Sequence, residues 1–260
     1  SRPTFGRDYI IPTPFDPRLI SHVPPFVAQA AMDTGVARKP IPDMDAYRAQ
    51  LKRRSDPAAA FLEGVQARCK EVQRRIVFAE GEEPSVVRAA YSFKNQGLGH
   101  PILIGREAQV EQTMEMMGVP AGSLEILNAR LSDNNPVYTD MLYARLQREG
   151  YLKRDVQRLV NNDRNVFGSC MLKNGDADGM VTGVTRNYDV ALQDAQMVLD
   201  PIPGQAVIGM SMVINRGKTV FIADTSVTEL PGGPELADIA VEAARAVQSV
   251  GFVPRVAFLS

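Results

Sequence analysis

The amino-acid sequence predicts an α/β fold: a mainly parallel sheet with helices on both faces, preceded by a Pro-rich arm and short helices. Three observations predict it. From Arg75 onward, short apolar runs alternate with helix-length amphipathic segments, which is the pattern of right-handed βαβ units. Half of the eighteen prolines fall within the first 57 residues, so the start of the chain is built differently from the rest. The 260 residues, 45% of them hydrophobic, are enough for a sizeable core in one large domain or two modest ones.

The segment Tyr9 to Pro25 carries Pro12, Pro14, Pro17, Pro24 and Pro25. Each proline removes a backbone donor and pushes its predecessor out of the helical region, so this segment reads as an extended arm over a surface. Pro24 and Pro25 open a helix through Ala31 that stops near Gly35. Asp43 caps a second helix, Met44 to Arg54, and Asp56-Pro57 begins a third with Phe61, Val65, Cys69 and Val72 on one stripe. These pieces make up a first region, residues 1–74.

The second region, 75–260, begins with a buried strand, Ile76 to Ala79, then the turn Glu80 to Pro84 and a helix from Ser85 to Gln96 ended by Gly97. Pro101 to Ile104 is a strand, Glu107 to Met117 a helix, and Leu124 to Leu127 a short strand. Asn134 to Gly150, Arg154 to Asn162 and Asn165 to Lys173 read as helices, Gly179 to Thr182 as a strand, and Asp189 to Leu199 as a helix. Gln205 to Ile214 and Lys218 to Ala223 flank Asn215-Arg-Gly217, a hairpin signal. Glu235 to Val250 is an amphipathic helix with Leu236, Ile239, Ala243 and Val247 inward, and Arg255 to Leu259 reads as a final strand. The sequence stops there, where an open α/β sheet would place a site residue and a following helix, so it reads as a piece of a longer protein.

Charge and composition exclude several classes of function. Lys plus Arg number 29 against 30 for Asp plus Glu, so no long-range field steers nucleic acid, and any phosphate site is local. The longest apolar runs, such as Val207 to Ile214, are far short of the roughly 20 residues of a membrane helix. The opening Ser-Arg-Pro-Thr-Phe-Gly has no secretory character, which points to the cytoplasm. Cys69 and Cys170 are expected as free buried thiols, and neither His22 nor His100 has a second ligand at zinc spacing.

Chemistry concentrates in Gly175-Asp-Ala-Asp-Gly-Met-Val-Thr-Gly183 and the loop after it. Backbone amides at a helix start, glycines allowing close approach, and Arg186 with Asn187 and Tyr188 suit a phosphate or pyrophosphate. The same residues also suit a tight turn with Asp176 and Asp178 as local caps, while Asp-x-Asp as a magnesium site lacks a third carboxylate. Asn161-Asn-Asp-Arg-Asn165 either caps two helices or contacts a ligand, and Asp224-Thr-Ser226 either caps or faces the crevice. No Gly-x-Gly-x-x-Gly, P-loop or nucleophile-elbow motif occurs.

The runs Leu159-Val-Asn-Asn-Asp-Arg-Asn-Val-Phe-Gly168, Gly175 to Gly183, Thr219-Val-Phe-Ile-Ala-Asp-Thr225 and Pro254-Arg-Val-Ala-Phe-Leu-Ser260 resemble the phosphate acetyltransferase-like domain of the large hybrid NADP-dependent malic enzymes. Phe5 to Leu19 and Pro25 to Met32 resemble the end of the malic enzyme part that precedes it. The resemblance implies that residues 1–74 are that end plus a helical linker, and that 75–260 form a two-lobed domain, incomplete at its C-terminus. It also implies a parent enzyme that turns malate into pyruvate and carbon dioxide with NADP and Mg or Mn. The parent's catalytic and metal residues would lie outside this sequence, so none is assigned here. The family's domain is known chiefly as a regulatory module answering acetyl-CoA.

By the same resemblance, the two arginines of true phosphate acetyltransferases fall here on Gln193 and on Leu146, with Arg145 one step off. Without those guanidinium forks, acetyl phosphate loses its bidentate partners. The leading expectation is therefore an acyl-CoA-sensing module with Thr185, Arg186, Asn187, Tyr188 and Gln193 near the ligand. The alternatives are an active acetyltransferase and a ligand-free assembly scaffold. The partners implied are acetyl-CoA and a second copy of the chain, with no nucleic acid and no membrane. Size-exclusion chromatography with light scattering is expected to find the full-length protein a homo-oligomer, and residues 1–260 alone aggregated or non-natively associated. A sharp, cooperative, monomeric unfolding transition of residues 1–260 would contradict this.

Overall fold

The computed structural model describes residues 18–55, 57–215 and 218–259. Helix α1 spans Arg18–Asp33 with Pro24 and Pro25 inside it. The helix thus begins six residues before the pair expected to open it, and the arm's last eight residues are helical rather than extended. Each proline costs an intrahelical hydrogen bond but does not dictate where the helix starts. The rest of the arm, residues 9–17, lies outside the described residues. Helices α2 (Met44–Ser55) and α3 (Pro57–Val72) follow as expected, with the Asp43 carboxylate accepting from the amides of Asp45 and Ala46 at 2.9 Å each.

Strand β1 (Arg74–Phe78) starts a four-stranded, all-parallel sheet with β2 (Gly99–Ile104), β3 (Glu125–Leu127) and β4 (Gly179–Val181), in the order β3-β2-β1-β4. The two-residue side-chain period of a strand sorts its apolar residues onto two faces. Phe78 and Leu103 point to one side, where they meet Val86, Val87 and Ala90 of α4 (Pro84–Asn95) and Val110 and Met114 of α5 (Glu107–Met116). Val77, Ile102 and Ile104 point to the other side, against α6 (Asn135–Leu146), α7 (Lys153–Asn162) and α8 (Arg164–Asn174). On that face the rings of Tyr138 and Phe167, both buried, meet edge-on with centroids 5.4 Å apart.

After α9 (Tyr188–Val198) the chain forms an antiparallel pair, β5 (Met210–Asn215) and β6 (Lys218–Ala223), in register from Met210 opposite Ala223 to Asn215 opposite Lys218. The expected hairpin is present, although its turn residues 216–217 lie outside the described residues and 205–209 are not strand. Helix α10 (Gly233–Ser249) buries Ile239 and Val247. The expected last strand, Arg255 to Leu259, is irregular chain. It runs beside β6 and α10, where Pro254 to Phe258 line a cavity of ≈ 300 Å³. An alternating apolar pattern gives β propensity, but a strand exists only where a ladder partner takes up its backbone groups.

The rings of Phe61, Phe252 and Phe221 stand in a row, with centroid spacings of 4.9 and 5.4 Å, and join α3 to the hairpin unit. Cys170 is buried and Cys69 half-buried, and both are free, so the expectation of two buried thiols holds for one of them. No helix among the described residues is long and apolar enough to cross a membrane.

Phe167 is fully buried between the sheet and α6. Its truncation to Ala is expected to cost ~3–5 kcal/mol in urea unfolding, from lost transfer energy and the cavity left behind.

Candidate functional site

Strands β1 and β4 are neighbours, yet the chain leaves β1 towards β2 and leaves β4 on the opposite side. This is a topological switch point, where the crevice of an open α/β sheet lies beyond the carboxyl ends of the strands. Two segments meet there: the turn after β1, Glu80 to Glu83, and the loop after β4, Thr182 to Asn187.

Glu80 joins them. Its side chain is 1% exposed, and its Oε2 accepts from the amides of Gly183 (3.0 Å) and Val184 (2.6 Å). Its Oε1 accepts from the amide and hydroxyl of Thr185 at 2.7 and 2.5 Å. Burial pushes the carboxyl pKa up, but the hydroxyl and the three amides outweigh it and hold the group below its ordinary 4.5. The glycine-bounded stretch of the loop before α9 therefore has its amides spent on an internal carboxylate, ahead of the helix start at Tyr188.

Arg186, the next residue, is held by two more acids. Its Nη1 donates to Asp163 Oδ2 at 2.7 Å and to Asp194 Oδ2 at 2.5 Å. Asn165 Nδ2 also donates to Asp194, and Thr182 Oγ1 donates to Asn165 Oδ1 at 2.6 Å, so β4, α8 and α9 share one polar network. Both acids take the same guanidinium nitrogen, which leaves Nε and Nη2 without a hydrogen bond among the described residues. Asn187 is the residue before α9 and makes no side-chain cap bond, while Tyr188 is half exposed and Gln193 exposed. The structure thus brings Thr185 to Tyr188 together in one loop, with Gln193 on the helix that follows.

The other candidate clusters are structural. Asp176 accepts from Tyr138 Oη at 2.5 Å and from Asn174. Asp178 accepts from the Arg75 amide at 2.8 Å and from the side chains of Arg74 and Arg75, pinning the start of β4 to β1. In Asn161 to Asn165, Asp163 also caps α8 by accepting from the amides of Asn165 and Val166. Asp224 accepts from the amides of Gly209 (2.7 Å) and Thr228 (2.8 Å), organising its own loop. Among the described residues no group of three or more His, Cys, Asp or Glu side chains could hold a metal ion.

The two positions that the resemblance matches to arginines are Gln193, on the exposed side of α9, and Leu146. Leu146 is 2% exposed in the core, so nothing there reaches the crevice. Arg145 is committed elsewhere, donating to Asp200 and to the Gln196 carbonyl.

A model of the phosphate acetyl/butaryl transferase family matches residues 60–260. The chain belongs to that family. The phosphotransacetylase of Streptococcus pyogenes shares the fold with a TM-score of 0.72 and 26% identity, over 78% of this chain and 62% of that one. The sequence is also 54% identical over 262 residues to the NADP-dependent malic enzyme of Rhizobium meliloti (strain 1021), and 42% identical over 259 residues to a probable NADP-dependent malic enzyme of Rickettsia prowazekii (strain Madrid E). In both cases nearly the whole chain is matched, and it spans 34% of the relative's length.

In this transferase-family chain, sequence reasoning missed Glu80, Asp163 and Asp194 as the residues that hold the loop. An acid directly after the apolar run Ile76 to Ala79 was the available signal for Glu80. Replacing it with Gln puts an amide among four donors and is expected to cost roughly 2–3 kcal/mol. Because the folded pKa lies below the unfolded one, the Glu80 contribution is full at neutral pH and is lost as pH falls through the folded value, below 4.5. Urea midpoints at pH 7, 5 and 3 should drop between the last two, and drop less for Glu80→Gln.

Proposed function

We propose that this chain is the acetyl-CoA-sensing, phosphate acetyltransferase-like portion of a malic enzyme that oxidatively decarboxylates malate to pyruvate with NADP. The reading rests on the family membership together with the malic enzyme relatives, which match the chain over its whole length at 54% identity in one case. One observation carries the regulatory part. The two positions that would clamp a transferring acetyl phosphate hold Gln193 and the buried Leu146, while the neighbouring Arg145 is paired with Asp200. Binding without group transfer is what such a crevice can still do.

Acetyl-CoA would lie against the exposed side of Thr185 to Tyr188 and Gln193. Arg186 supports this, since two of its nitrogens remain for a phosphate after Asp163 and Asp194 are satisfied. NADP and Mg or Mn would be held by parts of the parent enzyme outside this chain. The protein would act in the cytoplasm as a homo-oligomer, a reading supported by exposed apolar residues on the hairpin, among them Met212, Val213, Val220 and Ile222.

Calorimetry on the full-length protein tests this reading. Acetyl-CoA is expected to bind, and Tyr188→Ala and Asn187→Ala each to weaken it by about 1 kcal/mol, close to fivefold. These two side chains report more cleanly than Arg186, whose removal also strands two acids. A coupled assay should detect no acetyl phosphate formation from acetyl-CoA and phosphate. Robust formation would favour an active acetyltransferase, and absence of acetyl-CoA binding would favour the scaffold.

A further inference from the structure

The turn after β1 faces two ways. Glu80 reaches the Thr185 loop, while Glu82 reaches in the opposite sense, past the end of β2. The α7–α8 junction repeats the arrangement: Asp163 and Asn165 join the Arg186 network, whereas Asn161, Asn162 and Arg164 line a separate cavity of ≈ 270 Å³ beyond the ends of β2 and β3. Arg106 and Arg130 complete its polar wall.

Three guanidinium groups, from the loops after β2 and β3 and from the first residue of α8, thus line one cavity whose lining contains a single carboxylate. Glu82 clamps Arg106: Oε1 accepts from the amide and Nε of Arg106 and Oε2 from Nη2, all at 2.9 Å. This bidentate pair draws the Glu82 pKa down to about 2, against the cost of burial, so the pair stays ionised. Arg130 is oriented by Nε donating to Asn162 Oδ1 at 3.0 Å, which leaves both of its terminal nitrogens uncommitted. Arg164 makes no hydrogen bond or ion pair among the described residues, and its charge acts on Glu82 only through space, helping to hold that carboxyl down. The lining therefore carries two positive charges in excess. The side-chain oxygen of Asn161 is also buried there without a partner, so its amide is available to a ligand in either orientation. The amides at the start of α8 contribute nothing, because Asp163 already occupies them.

A monocarboxylate satisfies one guanidinium fork, whereas a tetrahedral dianion offers oxygens to several at once. We propose that this cavity is an oxyanion site for a phosphate group, with Arg130 and Arg164 as its ligands and the Glu82–Arg106 pair as its fixed wall. The site goes beyond the acyl-CoA reading and does not depend on it.

The test is calorimetric titration of the full-length protein with inorganic phosphate and pyrophosphate, with chloride at matched ionic strength as control. Saturable binding is expected, weakened about tenfold or more by Arg164→Ala and by Arg130→Ala, with Arg164→Lys between these and the native protein. Arg48→Ala, an exposed change on α2 away from both depressions, should leave it unchanged. The proposal is overturned if neither anion binds saturably, if chloride reproduces the response, or if both alanine variants bind like the native protein. The source of the phosphate is read from acetyl-CoA titrated into Arg164→Ala. A parallel loss of affinity assigns the site to that ligand's own phosphates, and unchanged affinity assigns it to a separate phosphate compound.

Discussion

One buried carboxylate holds the crevice together. Glu80 opens the turn after β1, and its four acceptor contacts fall on a loop 103 to 105 residues further along the chain. An isolated charge at 1% exposure would be costly, and here it is matched by three amides and a hydroxyl that would themselves be unsatisfied without it. The consequence is mutual. The loop has a shape because Glu80 is ionised, and Glu80 can be ionised because the loop closes on it. The Arg186 network then builds on a loop already placed, so α9 starts where Thr182, Asn165 and Asp194 direct it.

Around that contact the sheet works as a partition. Alternate residues of the Glu80–Glu82 turn and of the Asn161–Asn165 junction serve opposite sides, so one short stretch of backbone braces two depressions of different chemistry. Gly81, between the two acids, is constrained by this. A Cβ there would come within 2.9 Å of the Ile104 carbonyl oxygen and of Leu103 Cβ, so the turn lies directly on β2. The side facing Thr185 has three of its amides and its cation already engaged by carboxylates. The side facing Arg130 and Arg164 does not.

The sheet was legible because its elements are local and strongly patterned: apolar runs such as Ile76–Ala79 and Pro101–Ile104, each closed by glycine or an acidic turn, leave little alternative to βαβ. The hairpin, though not its register, followed from Asn215-Arg-Gly217 between two apolar runs. Two readings failed where local pattern and tertiary context diverge. Pro24 and Pro25 sit within α1, and Arg255 to Leu259 has strand-like alternation without a strand to pair with. The Thr185–Tyr188 loop was visible as a glycine-bounded turn before a helix. Its occupant was not, since nothing near Gly183 in sequence announces a carboxylate from the other end of the sheet. Arg106, Arg130 and Arg164 were equally invisible, being single cations scattered over 58 positions that only the parallel stacking of β1, β2 and β3 gathers.

The thiol of Cys170 lies at the centre of this arrangement, on α8 beneath the sheet, where burial pushes its pKa up to about 12. At pH 7 only roughly one such group in 10⁵ is thiolate, the form that reacts with alkylating agents. A native molecule therefore shields this cysteine twice, by sterics and by protonation. Helix α8 also supplies Asn165 to the crevice and Arg164 to the cavity, so the rate at which Cys170 becomes labelled is a clock for the opening of both. Any ligand that closes either depression should slow that clock, without needing an assay of its own chemistry.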